Sequence, residues 1–285
     1  MERSTRLVIC DVDGTLVGNN RMLSPAARQV IDQLRQQGIY FGIASGRPVS
    51  EVETLLERWQ IQEPFDVVIG MNGAELWDGI HGDFSDYFKL KPEWIKEIME
   101  LMAPFDLNAC IYKDEGMLCH REDEMTLQSV RRSGKKIQIA QSNEEFYAQA
   151  NAKIMFRTTP DRLDAAEKYA KEHPSSFYKA FRTGPFILEF ADRRISKAYA
   201  LKKFCEKHHF QMEEVLAFGD TSNDNEMLKA SGWGVCLCNG SEDTKAAANA
   251  ITEKSNNEDG FAWYMKQHFF NGGIEESQLK YDLHG

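Results

Sequence analysis

Short, wholly apolar runs alternate with one-sided amphipathic stretches at the start of the chain. Residues 7–10 form an apolar run of strand length. Ser24-Pro25 then supplies an N-cap and a proline suited to the first helical position. Ala27, Val30, Ile31 and Leu34 recur at helical spacing through to Gln37, where Gly38 provides a stop. Residues 39–44 read as a second strand, Val52, Leu55, Leu56 and Trp59 mark a second helix, and residues 65–71 read as a third strand. Apolar strands separated by amphipathic helices predict a parallel sheet covered by helices on both faces.

The rhythm changes after Asn72-Gly73. Two short strands around Asp78-Gly79 predict a hairpin within 74–88, followed by a helix over 92–102 and a strand pair at 107–112 and 117–120. A strand at 152–157, a helix at 161–171 and strands at 177–181 and 186–190 complete a middle third that is α+β and mostly antiparallel. Trp94, Tyr112, Phe146, Tyr178 and Phe181 read as its core sooner than as ligand-stacking surface. The earlier alternation then returns. Ser196 caps a helix to Lys207, strands follow at 215–218 and 233–237, and helices at 223–230 and 243–249, the latter the last clear one. The reading is an α/β fold: a Rossmann-like parallel-sheet core, 1–82 and 190–285, interrupted by an inserted α+β domain, 83–189. Segments 82–84 and 190–192 are expected to act as hinges, and the Gly-rich tail from 271 is expected to be peripheral.

Composition narrows the function. A length of 285 residues suits two domains, and a net charge of −10 with pI near 5.3 repels polyanions. Nucleic acid and anionic membrane are therefore not expected partners; a local cationic site for a small phosphate ester remains allowed by charge. No apolar run approaches the roughly 18 residues that span a bilayer. No export signal is visible, so a cytoplasmic location with reduced cysteines is expected. Cys236 and Cys238 read as part of a buried strand sooner than as metal ligands.

Three polar clusters follow three of the strands. Asp11 follows residues 7–10, Ser45-Gly46-Arg47 follows 41–44, and Gly219-Asp220 follows 215–218. Ligands of open parallel sheets bind beyond the carboxyl ends of the strands, so Asp11, Asp13, Ser45 and Asp220 are expected at one edge. Carboxylates that converge repel unless a cation joins them, and a few oxygen ligands suit Mg²⁺. In Asp11-Val-Asp13-Gly-Thr15, one carboxylate could serve as a nucleophile and the second as a proton carrier. The competing reading is an Asx turn at a strand end. Ser45 could donate to a phosphate oxygen with help from the Gly46 amide, or simply cap a helix. Arg47 reads equally as a surface charge or a ligand contact. Lys197, in the first turn of a helix, opposes the helix dipole, a misfit that favours neutralising carboxylates and a phosphoryl group over a solvated role. The stretch from Asp220 fails as a calcium loop, because Asn225 stands where glycine is needed and Ser231 where glutamate is needed. No nucleotide P-loop or dinucleotide fingerprint occurs.

These motifs resemble those of the haloacid dehalogenase (HAD) superfamily. Asp11-Val-Asp-Gly-Thr-Leu16, Ser45-Gly-Arg47, Lys197 and Gly219-Asp-Thr-Ser-Asn-Asp224 are similar to its four motifs, and Asn72-Gly73-Ala74, Asn239-Gly240 and Asp259-Gly260 resemble signatures of its Cof-type subfamily. The resemblance implies a C2-type cap domain for the insertion and a Mg²⁺-dependent phosphatase of small phosphate esters, sugar or cofactor phosphates. It further implies Asp11 as nucleophile and metal ligand, and Asp13 as acid/base whose carbonyl also binds metal. Lys197 and Ser45, with Gly46, would hold the phosphoryl group. Asp220 and Asp224 would be metal residues, and Asn223 would contact phosphate or metal-bound water. A phosphohexomutase and a non-catalytic phosphometabolite sensor are the alternatives. A monomer or weak homodimer is expected.

Overall fold

The structure is a computed structural model that describes residues 5–270 except 62, 114–115, 134–135 and 185. It divides into two compact units, Met1–Asp86 with Ser196–Gly285, and Tyr87–Ile195.

The first unit opens with β1 (Leu7–Asp11), α1 (Pro25–Gln36), β2 (Tyr40–Ala44), α2 (Val49–Arg58), β3 (Val67–Gly70), β4 (Glu75–Asp78) and β5 (Asp83–Asp86). The Ser24 Oγ accepts the Ala27 amide at 3.0 Å, Pro25 starts α1, and Ala27, Val30, Ile31 and Leu34 form its buried stripe. Truncating a buried leucine such as Leu34 to alanine typically costs about 2–5 kcal/mol. Gly38 turns the chain at φ +73°.

The second unit contains α3 (Pro92–Met102), β6 (Asn108–Lys113), β7 (Gly116–Cys119), α4 (Glu124–Ser133), β8 (Lys136–Ile139), β9 (Lys153–Arg157), α5 (Pro160–Glu172), β10 (Tyr178–Arg182) and β11 (Ile187–Asp192). Its sheet runs β10-β11-β9-β6-β7-β8, with every pairing antiparallel except β7 with β8. Ile95, Ile98, Met102, Phe146, Leu163 and Phe190 are among the side chains of its own core. Tyr178 belongs to that core, and Trp94 packs against it while stacking on Phe177 at 5.1 Å. α4 and β8 were not expected from the sequence. α4 carries only Met125, Leu127 and Val130 among polar residues, and the Lys136-Ile-Gln-Ile139 alternation of β8 spans only four positions.

The chain re-enters the first unit through α6 (Lys197–His208), β12 (Val215–Gly219), α7 (Asn225–Ala230), β13 (Trp233–Cys236), α8 (Glu242–Ala247), β14 (Ala250–Ile251) and α9 (Gly260–Tyr264). The sheet order is β14-β13-β12-β1-β2-β3-β4-β5. From β14 to β3 the strands are parallel, and β4 and β5 close one side as an antiparallel hairpin. The last clear helix expected, at 243–249, is followed by another. In α9, Phe261 lies 5.0 Å from Phe218 and 6.0 Å from Phe41, ring centre to ring centre, so this short helix belongs to the main core.

Both crossings between the units fall a few residues later than 82 and 190. β5 stays hydrogen-bonded to β4, and β11 runs to Asp192 in the second sheet. Segments 82–84 and 190–192, expected as hinges, therefore lie largely inside strand ladders. No helix among the described residues is long and apolar enough to cross a membrane.

Candidate active site

Sheet order fixes where a ligand can sit. From β1 the chain builds outward through β2 and β3, then returns to place β12 on the other side of β1. The crevice at the carboxyl ends of β1 and β12 is thus the topological switch point. Register aligns the groups there: Asp11 is level with Ala44, so Ser45 follows at the same edge, and Cys10 is level with Phe218, two residues before Asp220.

Asp11, Asp220 and Asp224 are all buried, and one carboxylate oxygen from each lies within 4.8 Å of the others. Lys197 is completely buried, with Nζ 2.5 Å from Asp11 Oδ1 and 2.6 Å from Asp224 Oδ1. It is the first residue of α6, whose N-terminus is capped by Ser196, the Oγ accepting the Tyr199 amide at 3.2 Å. Asp224 ends a tight turn and its Oδ2 accepts the Asp220 and Thr221 amides at 3.0 and 3.1 Å. Thr15 Oγ1 donates to Asp220 Oδ1 at 2.6 Å. Gly14 has φ +96°, and a Cβ there would run into the Asp220 carboxylate, so both the turn and the close approach require glycine.

Charge is out of balance in this cluster. With all three carboxylates ionised, one ammonium leaves two negative charges without a counterion. Burial pushes the Asp11 carboxyl well above its ordinary range; Lys197 opposes this, and Asp224 and Asp220 add to it. Burial, then the Asp224 charge, pushes Asp220 up to about 7 against the Thr15 hydrogen bond and Lys197. Burial by itself would lower the pKa of Lys197, but Asp11 and Asp224 outweigh it and raise it. An all-oxygen set carrying two excess charges fits a hard divalent cation.

The remaining motif residues surround this cluster. Asp13 is part-exposed and held by a two-pronged pair, Arg47 Nε to Oδ2 at 2.8 Å and Nη2 to Oδ1 at 2.7 Å. Ser45 is buried, and its Oγ accepts the Arg47 amide at 3.2 Å. A Cβ on Gly46 would lie 3.2 Å from Asn72 Oδ1. Asn223 donates from Nδ2 to Asn72 Oδ1 at 3.0 Å and accepts from Thr221 Oγ1 at 2.6 Å. Asn72 occupies a left-handed turn in which Met71, Asn72 and Gly73 all have positive φ, and Gly73 lies directly against the Ser196 carbonyl. Asn239 Nδ2 donates to the Gly14 carbonyl at 2.9 Å. Lys179 and Arg182 belong to the second unit, where Arg182 pairs with Asp164 at 2.8 Å and Glu167 at 3.3 Å.

Thr15, Arg47 and Asn72 take parts in this network that sequence reasoning did not assign. Thr15 and Asn72 lie inside motifs already singled out, which was the available signal. Asp13 and Arg47 lie in such motifs too, but nothing in the sequence pairs them, because their contact joins two loops by side chains alone.

Three buried carboxylates at the switch point of a parallel sheet form an acidic α/β site with the donor set of a divalent-cation binder. Residues 8–265 match the haloacid dehalogenase-like hydrolase family, and the chain belongs to that family. A Streptococcus pyogenes serotype M6 protein provisionally named a phosphatase is 29% identical over 279 residues, covering 94% of this chain and all of the relative. The 5-amino-6-(5-phospho-D-ribitylamino)uracil phosphatase YitU of Bacillus subtilis is 23% identical, covering 94% and 99%. Among solved structures, a haloacid dehalogenase-like hydrolase from Bacteroides thetaiotaomicron superposes with a TM-score of 0.77 at 26% identity, covering 93% and 100%. A HAD subclass IIB sugar phosphatase superposes with a TM-score of 0.79 at 21% identity, covering 92% and 98%.

Proposed function

We propose that the chain is a Mg²⁺-dependent phosphatase that hydrolyses small phosphate monoesters through an aspartyl-phosphate intermediate. The observation that carries this reading is the imbalance of three buried carboxylates around one ammonium, at the sheet's ligand-binding edge. Asp11, Asp220 and Asp224, with the Asp13 carbonyl, would hold Mg²⁺, which when bound supplies Lewis acidity and charge neutralisation.

In the first half-reaction an oxygen of Asp11 attacks phosphorus, the ester P–O bond breaks, and Asp13 delivers a proton to the leaving alkoxide. In the second, Asp13 takes a proton from water, which attacks the phosphorus, releasing inorganic phosphate and restoring the Asp11 carboxylate. The Arg47 fork engages both oxygens of Asp13 and orients its carboxyl for these transfers, leaving a lone pair on each oxygen for the substrate side. Lys197 holds Asp11 in orientation and offsets charge on the transferring group. Ser45, the Gly46 amide and Asn223 are proposed to hold the phosphoryl oxygens.

The second unit is proposed as the cap domain that selects the substrate. Relatives named for a phosphoribitylamino uracil and for sugar phosphates point to polyhydroxylated monoesters as the substrate class. Measuring phosphate release from a panel of phosphorylated metabolites, with Mg²⁺ and with EDTA, tests the reading. Metal-dependent release that Asp11→Asn abolishes is expected. Release that survives Asp11→Asn would overturn the mechanism.

A further inference from the structure

The first unit carries a second cluster of ligating groups, at the opposite edge of the same sheet. Asp78 is level with Val67, the first residue of β3, whereas the candidate active site lies beyond the strands' carboxyl ends. α6 connects the two places: Lys197 is its first residue and His208 its last. Eleven residue steps put their Cα atoms roughly 16 Å apart along the axis.

We propose that Asp78, His81 and His208 form a binding site for a transition-metal dication of the zinc type. Asp78 Oδ2 is the focus of the cluster. His208 Nε2 lies 2.9 Å from it and His81 Nδ1 3.4 Å, and ligand atoms from the three residues lie within 4.8 Å of one another. A tetrahedral zinc ion with ligands near 2.0–2.1 Å sets its ligand atoms roughly 3.3 Å apart, so the ligand atoms shift little, while the half-exposed His81 ring turns out of its stack on His208 to aim a nitrogen at the ion. Two imidazoles and one carboxylate are a zinc-type donor set; Mg²⁺ prefers oxygen alone, which separates this site from the carboxylate cluster.

Surrounding contacts hold the donors in place. Asp78 is buried, and its Oδ1 accepts the Ile80 and His81 amides at 3.1 and 3.2 Å, which fixes the carboxylate and the turn that carries His81. The His208 ring packs against Phe204 at 4.5 Å. The His81 side chain is about half exposed, which leaves an entry path from solvent.

A cation already sits on the focal oxygen. Lys207 Nζ lies 2.6 Å from Asp78 Oδ2 and also 2.6 Å from Asp83 Oδ2. An entering metal displaces the ammonium from Asp78 and Asp83 retains it, so no ammonium is stranded and the cluster passes from one net negative to one net positive charge.

Zinc titration against a chromophoric zinc indicator, on chelator-stripped protein in excess Mg²⁺, tests the site. The wild type is expected to bind one zinc ion that His81→Ala binds at least about tenfold more weakly. Zinc is also expected to raise the melting temperature of the wild type and not that of His81→Ala. Lys207→Met, which removes the competing ammonium, is expected to bind zinc more tightly. Equal zinc binding by the wild type and His81→Ala would overturn the site. Unchanged or weaker binding by Lys207→Met would overturn Asp78 Oδ2 as its centre.

Discussion

Lys153 in the second unit and Lys197 in the first are both almost fully buried, yet their electrical settings are opposite. Lys153 projects from β9 and meets both oxygens of Glu189 on the neighbouring strand β11, at 2.9 and 3.0 Å. One cation answers one anion. Lys197 meets two carboxylates, and a third completes their cluster. The first pair balances its two charges within one sheet. The second gathers charges from β1, α6 and the loop after β12, and is left negative. A buried ion pair is therefore not by itself a sign of function; an unbalanced one at a sheet's ligand-binding edge is.

Substitutions that tip either balance separate the two cases. The largest expected effect is on turnover: Asp11→Asn should lower Mg²⁺-dependent phosphate release by about 10⁴–10⁶-fold. Its urea midpoint should hold or rise, because a buried negative charge is removed. A parallel loss of stability would show that the aspartate is structural.

Next come the lysines. Lys153→Met and Lys197→Met should each cost about 3–5 kcal/mol in urea unfolding, since each leaves a buried carboxylate unpaired. The double variant Lys153→Met/Glu189→Leu should regain most of that loss. Mg²⁺ should recover part of the Lys197→Met deficit and none of the Lys153→Met deficit. Equal recovery in both variants would erase the distinction between the two sites.

The pH response is smaller. Asp220 is raised to about 7 in the folded protein from an ordinary carboxylate value, so the metal-free folded state binds protons that the unfolded state has released. Its stabilising contribution is complete below the unfolded value and is lost as pH rises through about 7. Thermal melts in EDTA should therefore show stability falling between pH 5 and 8, with a shallower fall in Asp220→Asn. A steeper fall in that variant would reverse the assignment.

The smallest expected effect is that of Arg47→Ala. The Asp13–Arg47 pair is part-exposed, so its loss should cost less than about 1 kcal/mol of stability. Turnover should change by roughly tenfold or more, because the pair positions the proposed proton carrier. Stability and turnover falling together would assign Arg47 to the fold alone.

Much of the parallel sheet was legible because its strands are apolar throughout and its helices carry strong stops and starts, Ser24-Pro25 and Gly38 among them. Asp11, Ser45, Lys197 and Asp220 were legible for the same reason: each stands next to a readable strand end or helix start. α4 and β8 were not, because polar residues dominate α4 and the alternation of β8 covers only four positions. β14, of two residues, is too short to leave a pattern, and α9 hides inside an aromatic run. The Asn72–Asn223 contact joins residues 151 positions apart through side chains, which local periodicity cannot report. The tail from 271 lies outside the described residues.

The place of β1 in the sheet also sets a timetable. Its neighbours are β2, a few dozen residues downstream, and β12, which lies beyond the whole second unit. On a ribosome adding roughly 5–20 residues per second, Asp224 follows Asp11 by about 10–40 seconds. Through that interval Asp11 has no Asp224 beside it, for most of it no Lys197 either, and one edge of β1 waits for its partner. The charge cluster is thus a late product of synthesis, and a truncated chain ending before β12 would carry Asp11, Ser45 and Lys197 without Asp220, Asn223 and Asp224.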